Sequence, residues 1–141
     1  MSATITRIFG IDCGHRVTRH ESKCRHPHGH RYTFEVTITA DALDEMGRVI
    51  DFGVVKALIG AWLDDNLDHG YIACSLDGVG DALRAQGFKV FTMPGTEEPT
   101  AENLAMLVLA QAQALLAGRP LRVVHVRCYE TPNCWADAVA T

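Results

Sequence analysis

What the chain lacks narrows its class before any motif is read. No apolar run approaches the roughly twenty residues that a membrane-spanning helix needs. The first residues, MSATITRIFGID, have neither the basic start nor the long apolar centre of a secretion signal. A cationic surplus is missing too. Lys and Arg number 13 against 17 Asp and Glu, a net charge of −4, and general nucleic-acid binding depends on pooled positive charge. The five cysteines are an odd count without a disulfide-framework spacing, which points to a reducing, cytoplasmic setting. There is no internal repeat, linker or low-complexity tract. At 141 residues, 48% hydrophobic and 21% charged, the chain is expected to form one domain over residues 1–141 with a core of its own.

What is present is concentrated. Five of the seven histidines, His15, His20, His26, His28 and His30, fall between Ile11 and Arg31, with Cys13, Cys24 and the basic residues Arg16, Arg19, Lys23, Arg25 and Arg31. A surface loop has no folding reason to gather imidazoles and thiols so densely. A metal site beside an anionic ligand would account for both features.

Periodicity arranges these residues. From Ile5 the odd positions run Ile5, Arg7, Phe9, Ile11, Cys13, His15, a strand with one buried face on which only Arg7 is out of character. From His28 to Ala40 the even positions run His28, His30, Tyr32, Phe34, Val36, Ile38, Ala40 against a polar odd set. Residues two apart in a strand share a face, so His28 and His30 project together toward the core side. His15, arriving on its own apolar phase, can complete a three-histidine site. Three neutral imidazoles suit a divalent first-row metal, zinc first, and leave an open fourth position. His20 and His26 fall outside this phase and read as loop residues, His26 being a substitute ligand at most.

Asp51 is placed to cap a helix whose stripe is Val54, Val55, Leu58, Ile59, Trp62 and Leu63. Asp68 and His69 follow its end. Between Ala73 and Gly95 the pattern is weak, with a short helix expected near 81–86 and a short strand near 88–91. Thr100 caps a second helix buried through Leu104, Ala105, Leu107, Val108, Ala112 and Leu115, ended by Gly118 and Pro120. Leu121 to Thr131 reads as a strand whose apolar phase is Val124, Val126 and Cys128, with Glu130 at its end. A carboxylate on an apolar face calls for a partner or ligand. Trp135 to Val139 reads as a final strand. The order β-β-α-α-β-β predicts an α+β domain, an antiparallel four-stranded sheet with two helices on one face. Its open edges favour a homo-oligomer.

The chemistry at Cys24 has three readings: a fourth ligand closing a structural site, a nucleophile or base favoured by Lys23, Arg25 and a nearby metal, or an inert thiol. Asp68 with His69 would serve as an acid–base unit. The basic loop suits a phosphorylated substrate.

Cys24-Arg25-His26-Pro27-His28-Gly29-His30, with His15-Arg16, Asp51-Phe52, Asp68-His69, Pro99-Thr100-Ala101-Glu102-Asn103 and Glu130-Thr131 in order along the chain, resembles the 6-pyruvoyltetrahydropterin synthase / 6-carboxytetrahydropterin synthase family. The resemblance implies the tunnelling fold, commonly a hexamer of two stacked trimers with active sites between protomers. It implies Zn2+ on His15, His28 and His30, Cys24 as proton-abstracting residue, and Asp68, His69 and Glu130 as acid–base partners. It also implies Glu130, Thr131, Thr100 and Glu102 as pterin anchors. The small-molecule substrate would be 7,8-dihydroneopterin triphosphate, with no nucleic-acid or membrane partner. The three-residue gap between Cys24 and His28 resembles the queuosine-pathway group, whose product is 6-carboxytetrahydropterin. The alternatives are triphosphate elimination to 6-pyruvoyltetrahydropterin and a non-catalytic zinc-containing pterin-binding module. The Gly70 to Glu98 segment is longer than in compact members.

Overall fold

The computed structural model describes residues 2–141. In chain order the elements are β1 (Thr4–His15), β2 (His28–Ala40), α1 (Phe52–Val55), a π turn (Lys56–Gly60), α2 (Ala61–Asn66), β3 (Tyr71–Ala73), α3 (Gly78–Ala85), β4 (Val90–Thr92), α4 (Ala101–Leu115), β5 (Leu121–Thr131) and β6 (Cys134–Val139). The two long alternating segments pair antiparallel over their whole length, Thr4 opposite Thr39 and His15 opposite His28. Their core phases therefore coincide. On β2, flanked by β1 and β5, Tyr32, Phe34, Val36 and Ile38 are fully buried. Each such side chain contributes about 1.5–3 kcal/mol over its exposed state. They pack on Val55, Ile59 and Leu63 of the first helical segment and on Leu104, Ala105, Val108 and Ala112 of α4. Both expected helix caps are present: Asp51 accepts from the Gly53 N–H and Thr100 from the Asn103 N–H. Arg7 keeps its guanidinium outside the core, donating to the Phe52 carbonyl.

The expected four-stranded antiparallel sheet is corrected to a mixed six-stranded one, in the order β4-β3-β1-β2-β5-β6. β3 runs parallel to β1, and β4 parallel to β3. Parallel neighbours need a crossover, which α3 supplies. Strands of three residues are too short for alternation to register, which is why β3 leaves no sequence signal. α3 also begins three residues before the expected helix. It packs through Gly80, where an added Cβ would lie 2.7 Å from the Ala73 Cβ. Tyr71, Ala73 and Val90 face α3, whereas Ile72 and Phe91 join the main core. The arrangement of two helices on one face thus holds for α1–α2 and α4, and α3 covers the reverse side of β3 and β4.

A second correction concerns β5. A register shift opposite Thr37 and Ile38 moves the buried phase, so that Val123 and Val126 are buried with Val124 only half-buried between them. An extra residue in one strand of an antiparallel pair has this effect. No helix among the described residues is long and apolar enough to cross a membrane.

Candidate metal and catalytic site

At the end of the β1–β2 ladder the three in-phase histidines meet. Ligand atoms of His15, His28 and His30 all lie within 4.8 Å of one another, a group that could hold a metal ion. The ring centroids are 4.7, 5.2 and 4.9 Å apart. His15 Nδ1 donates to the Pro99 carbonyl at 2.8 Å and His28 Nδ1 to the His26 carbonyl at 2.6 Å. Protonating Nδ1 leaves each Nε2 with a free lone pair, the tautomer that metal-binding imidazoles adopt. Those two Nε2 atoms are only 3.1 Å apart, and His30 Nε2 is buried with no hydrogen-bond partner. Facing lone pairs repel unless a cation or proton lies between them. The donor set fits a metal.

The Tyr32 hydroxyl, next in phase after His30, lies 3.1 Å from both nitrogens of His15. Burial pushes its phenol far up, with Cys13, Glu130, Cys128 and Cys24 near enough to add to the shift. Burial likewise holds the Cys13 thiol up at about 12, as an inert packing group. His15 is pushed down to about 4 by burial, aided by His28 and His30, and His30 is lowered by burial too. Both are neutral imidazoles at ordinary pH.

A pH dependence follows for the metal-free protein. Below its ordinary value near 6.5 the unfolded His15 takes up a proton that the folded chain refuses until about pH 4. Folded stability therefore falls as pH drops through that window and levels off beneath it, by up to ~3 kcal/mol from this group. Asp68 and Asp137, both held below the usual carboxylate range, contribute fully throughout the window and lose their effect only at lower pH. Urea midpoints with chelator present should decline between pH 7 and pH 4, and added metal should flatten the decline at its upper end.

The remaining expected residues divide. Glu130 reaches the histidines, its Oε1 lying 3.4 Å from His15 Nε2 and 3.5 Å from His30 Nε2. Cys24 is a free, half-buried thiol on a 3-10 turn (Lys23–Arg25), close enough to Tyr32 to bear on its phenol yet outside the group of converging ligands. Asp68 and His69 form the expected pair, Nδ1 to Oδ2 at 2.8 Å, and Asp68 Oδ1 accepts from the Asp12 N–H. That N–H, ahead of His69, holds Asp68 low. His69 adopts a left-handed φ of 60° and is highly exposed. It borders an open depression with Asp12, Gly14, Gly29 and Arg31 of the outward phase of β1 and β2 and with Cys13 and His30. Among the described residues no hydrogen bond or ion pair joins it to Cys24 or to the three histidines of its own chain.

Thr131 is likewise on the outward phase of β5, its hydroxyl accepting from the Asn133 N–H of the turn into β6. Glu102 is exposed in the first turn of α4, where its charge favours the helix N-terminus and helps raise the Cys128 thiol. The Thr100 hydroxyl is engaged as the α4 cap, and the preceding Pro99 carbonyl orients His15. Thr100→Ala should cost about 1 kcal/mol of stability and Thr100→Ser almost none, read as a thermal midpoint. Sequence reasoning missed Tyr32 and Pro99 as groups around His15. Tyr32 had a usable signal, being in phase with His28 and His30.

With this geometry, comparison with known proteins is decisive. The profile described as 6-pyruvoyl tetrahydropterin synthase matches residues 4–140. The chain belongs to the 6-pyruvoyl tetrahydropterin synthase family. A family member from Rickettsia bellii, named 6-carboxy-5,6,7,8-tetrahydropterin synthase, is 38% identical over 135 residues, covering 94% of this chain and 96% of its own. One from Halobacterium salinarum, named probable 6-carboxy-5,6,7,8-tetrahydropterin synthase, is 34% identical over 126 residues, covering 89% and 79%. The structure of Caenorhabditis elegans 6-pyruvoyl tetrahydropterin synthase matches with a TM-score of 0.75 at 20% identity, covering 100% of this chain and 97% of its own. An uncharacterized protein from Wolinella succinogenes matches with a TM-score of 0.86 at 20% identity, covering 100% and 99%. These structural likenesses place the α+β architecture within the fold of the family.

Proposed function

We propose that this chain is a zinc-dependent 6-carboxy-5,6,7,8-tetrahydropterin synthase. With one water it would convert 7,8-dihydroneopterin triphosphate into 6-carboxytetrahydropterin, acetaldehyde and triphosphate, the pterin being suited to queuosine-type deazapurine synthesis. The observation that carries the reading is the convergence of three imidazoles, with no fourth protein ligand in the group among the described residues. It stands in a chain whose relatives at 38% identity bear that name. A closed four-ligand site would suit a structural metal; three ligands suit a catalytic one.

His15, His28 and His30 would hold the zinc, whose Lewis acidity polarises the hydroxyls of a bound polyol side chain. Cys24, as thiolate, takes up the proton released between ring and side chain. Glu130, beside His15 and His30, accepts two hydrogen bonds from the amide and amino edge of the pterin and so sets the ring against the imidazoles. His69, its Nδ1 proton held by Asp68, presents Nε2 for proton transfer. Because His69 is highly exposed and, among the described residues, has no hydrogen bond or ion pair to Cys24, it would serve the site of a neighbouring copy. Ile8, Trp135 and Val139, all large and exposed, support an assembly that covers this surface, proposed as a hexamer of two stacked trimers. Thr131, on the same side, would line the pterin pocket across that junction, with Thr100 and Glu102 from the start of α4.

The test is anaerobic incubation of zinc-loaded protein with 7,8-dihydroneopterin triphosphate, followed by product analysis. Acetaldehyde with a 6-carboxypterin is expected. Triphosphate without acetaldehyde would move the chain to the pyruvoyl reaction, and tight pterin binding without turnover would make it a binding module.

A further inference from the structure

The loop that carries Cys24 has little to hold itself in place. Its 3-10 turn contains no buried residue, and the loop's own backbone bonds are few: Val17 N–H to the Cys24 carbonyl at 2.9 Å, with His20, Arg25 and His26 closing short turns. What fixes it comes from the segment between β3 and α4. Asp77, with a fully buried side chain, accepts from the Tyr71 hydroxyl at 2.7 Å, from the Val79 N–H at 2.9 Å and from Arg16 Nε at 2.9 Å. Arg16 then reaches onward, its Nη1 donating to the Arg25 carbonyl at 3.2 Å, one residue past Cys24. On the other side of the loop Glu98, also buried, accepts from the Thr18 hydroxyl and pairs with Arg19.

A buried carboxylate is costly unless its donors are supplied. Asp77 has three, so its position is well determined, and the planar guanidinium passes that position to the Cys24 turn through two bonds in fixed directions. We infer that Asp77 and Arg16 are positioning residues for Cys24, and that the long segment after His69 exists in part to hold this turn against the end of the sheet. The inference rests on the proposed catalytic use of Cys24. Neither residue touches the converging histidine nitrogens, so their effect should fall on the turn and not on the metal.

The discriminating variant is Arg16→Lys, which keeps a cation beside Asp77 but cannot span to the Arg25 carbonyl. Asp77→Ser is its companion, because serine preserves the cap on α3 while abandoning Arg16. In both, amide exchange at Ser22 to His26 should accelerate about tenfold. Alkylation of Cys24 by iodoacetamide, resolved by peptide mass spectrometry with exposed Cys134 as internal reference, should change at least ~3-fold. The kcat should fall about tenfold with KM for the pterin within about twofold, and bound zinc should be unchanged. A merely structural role would lower the melting temperature and leave the split between kcat and KM untouched. Unchanged exchange and alkylation in both variants would overturn the inference, as would faster exchange with unchanged kcat. A wild-type protein inert toward the pterin triphosphate would overturn the proposed function instead, with exchange and alkylation still deciding whether Asp77 and Arg16 order the turn.

Discussion

Cys24→Ala should abolish turnover, by at least about a thousandfold, while the protein retains its zinc. The two halves of this result have separate causes. Loss of turnover follows if the thiolate is the group that takes the substrate proton, since alanine has nothing to accept it and water is neither placed nor basic enough to substitute. Retention of zinc follows from geometry, because the cluster of ligand atoms within 4.8 Å of one another comprises His15, His28 and His30 without Cys24. Side-by-side measurement of acetaldehyde release and of zinc by metal analysis checks both. Zinc lost together with the thiol would mean that Cys24 closes a structural site, and the enzyme reading would fall.

His28→Ala should instead remove both metal and activity. Its Nε2 lies 3.1 Å from that of His15, and its Nδ1 is anchored on the His26 carbonyl, so it is a pre-oriented ligand whose deletion leaves only two imidazoles. Zinc affinity should drop by more than about a hundredfold, beyond the loss typical of outer-shell changes. The informative control is His26→Ala. His26 contributes its backbone carbonyl, which alanine retains, and its side chain is exposed. Titration with a fluorescent zinc indicator should find His26→Ala close to wild type. Equal losses in the two variants would make His26 a ligand beside His28, and the three-histidine site would fall.

The convergence of His15, His28 and His30 was largely legible in the sequence, and the reason is local. Alternation along a strand assigns a face to each side chain, so His28, His30 and the buried row beyond them had to point the same way. The capping threonine of α4 and the helical stripes were equally plain, being encoded within a few residues. The Pro99-Thr100 stretch was visible as a motif, yet its effect was not: the hydroxyl caps the helix and the preceding carbonyl orients His15 across 84 positions of chain. Nothing in the spacing of Asp68 and His69 announces that, among the described residues, no hydrogen bond or ion pair joins them to the histidines of their own chain. That depends on β3 joining the sheet beside β1, where the Gly14 N–H meets the Gly70 carbonyl.

By itself, then, the sequence determined the residue types, the phase of β1, β2 and the long helical segments, and the family to which they belong. Those follow from side-chain directions that repeat every two or 3.6 residues, whatever the rest of the chain does. Only the tertiary structure decided that His15 lies opposite His28, that a shift in β5 buries Val123 in place of Val124, and that Asp77 ties Arg16 to the Cys24 turn. Each of these is a pairing between distant segments. Its register is chosen by burial and hydrogen bonding over the whole sheet at once, which no local period can encode.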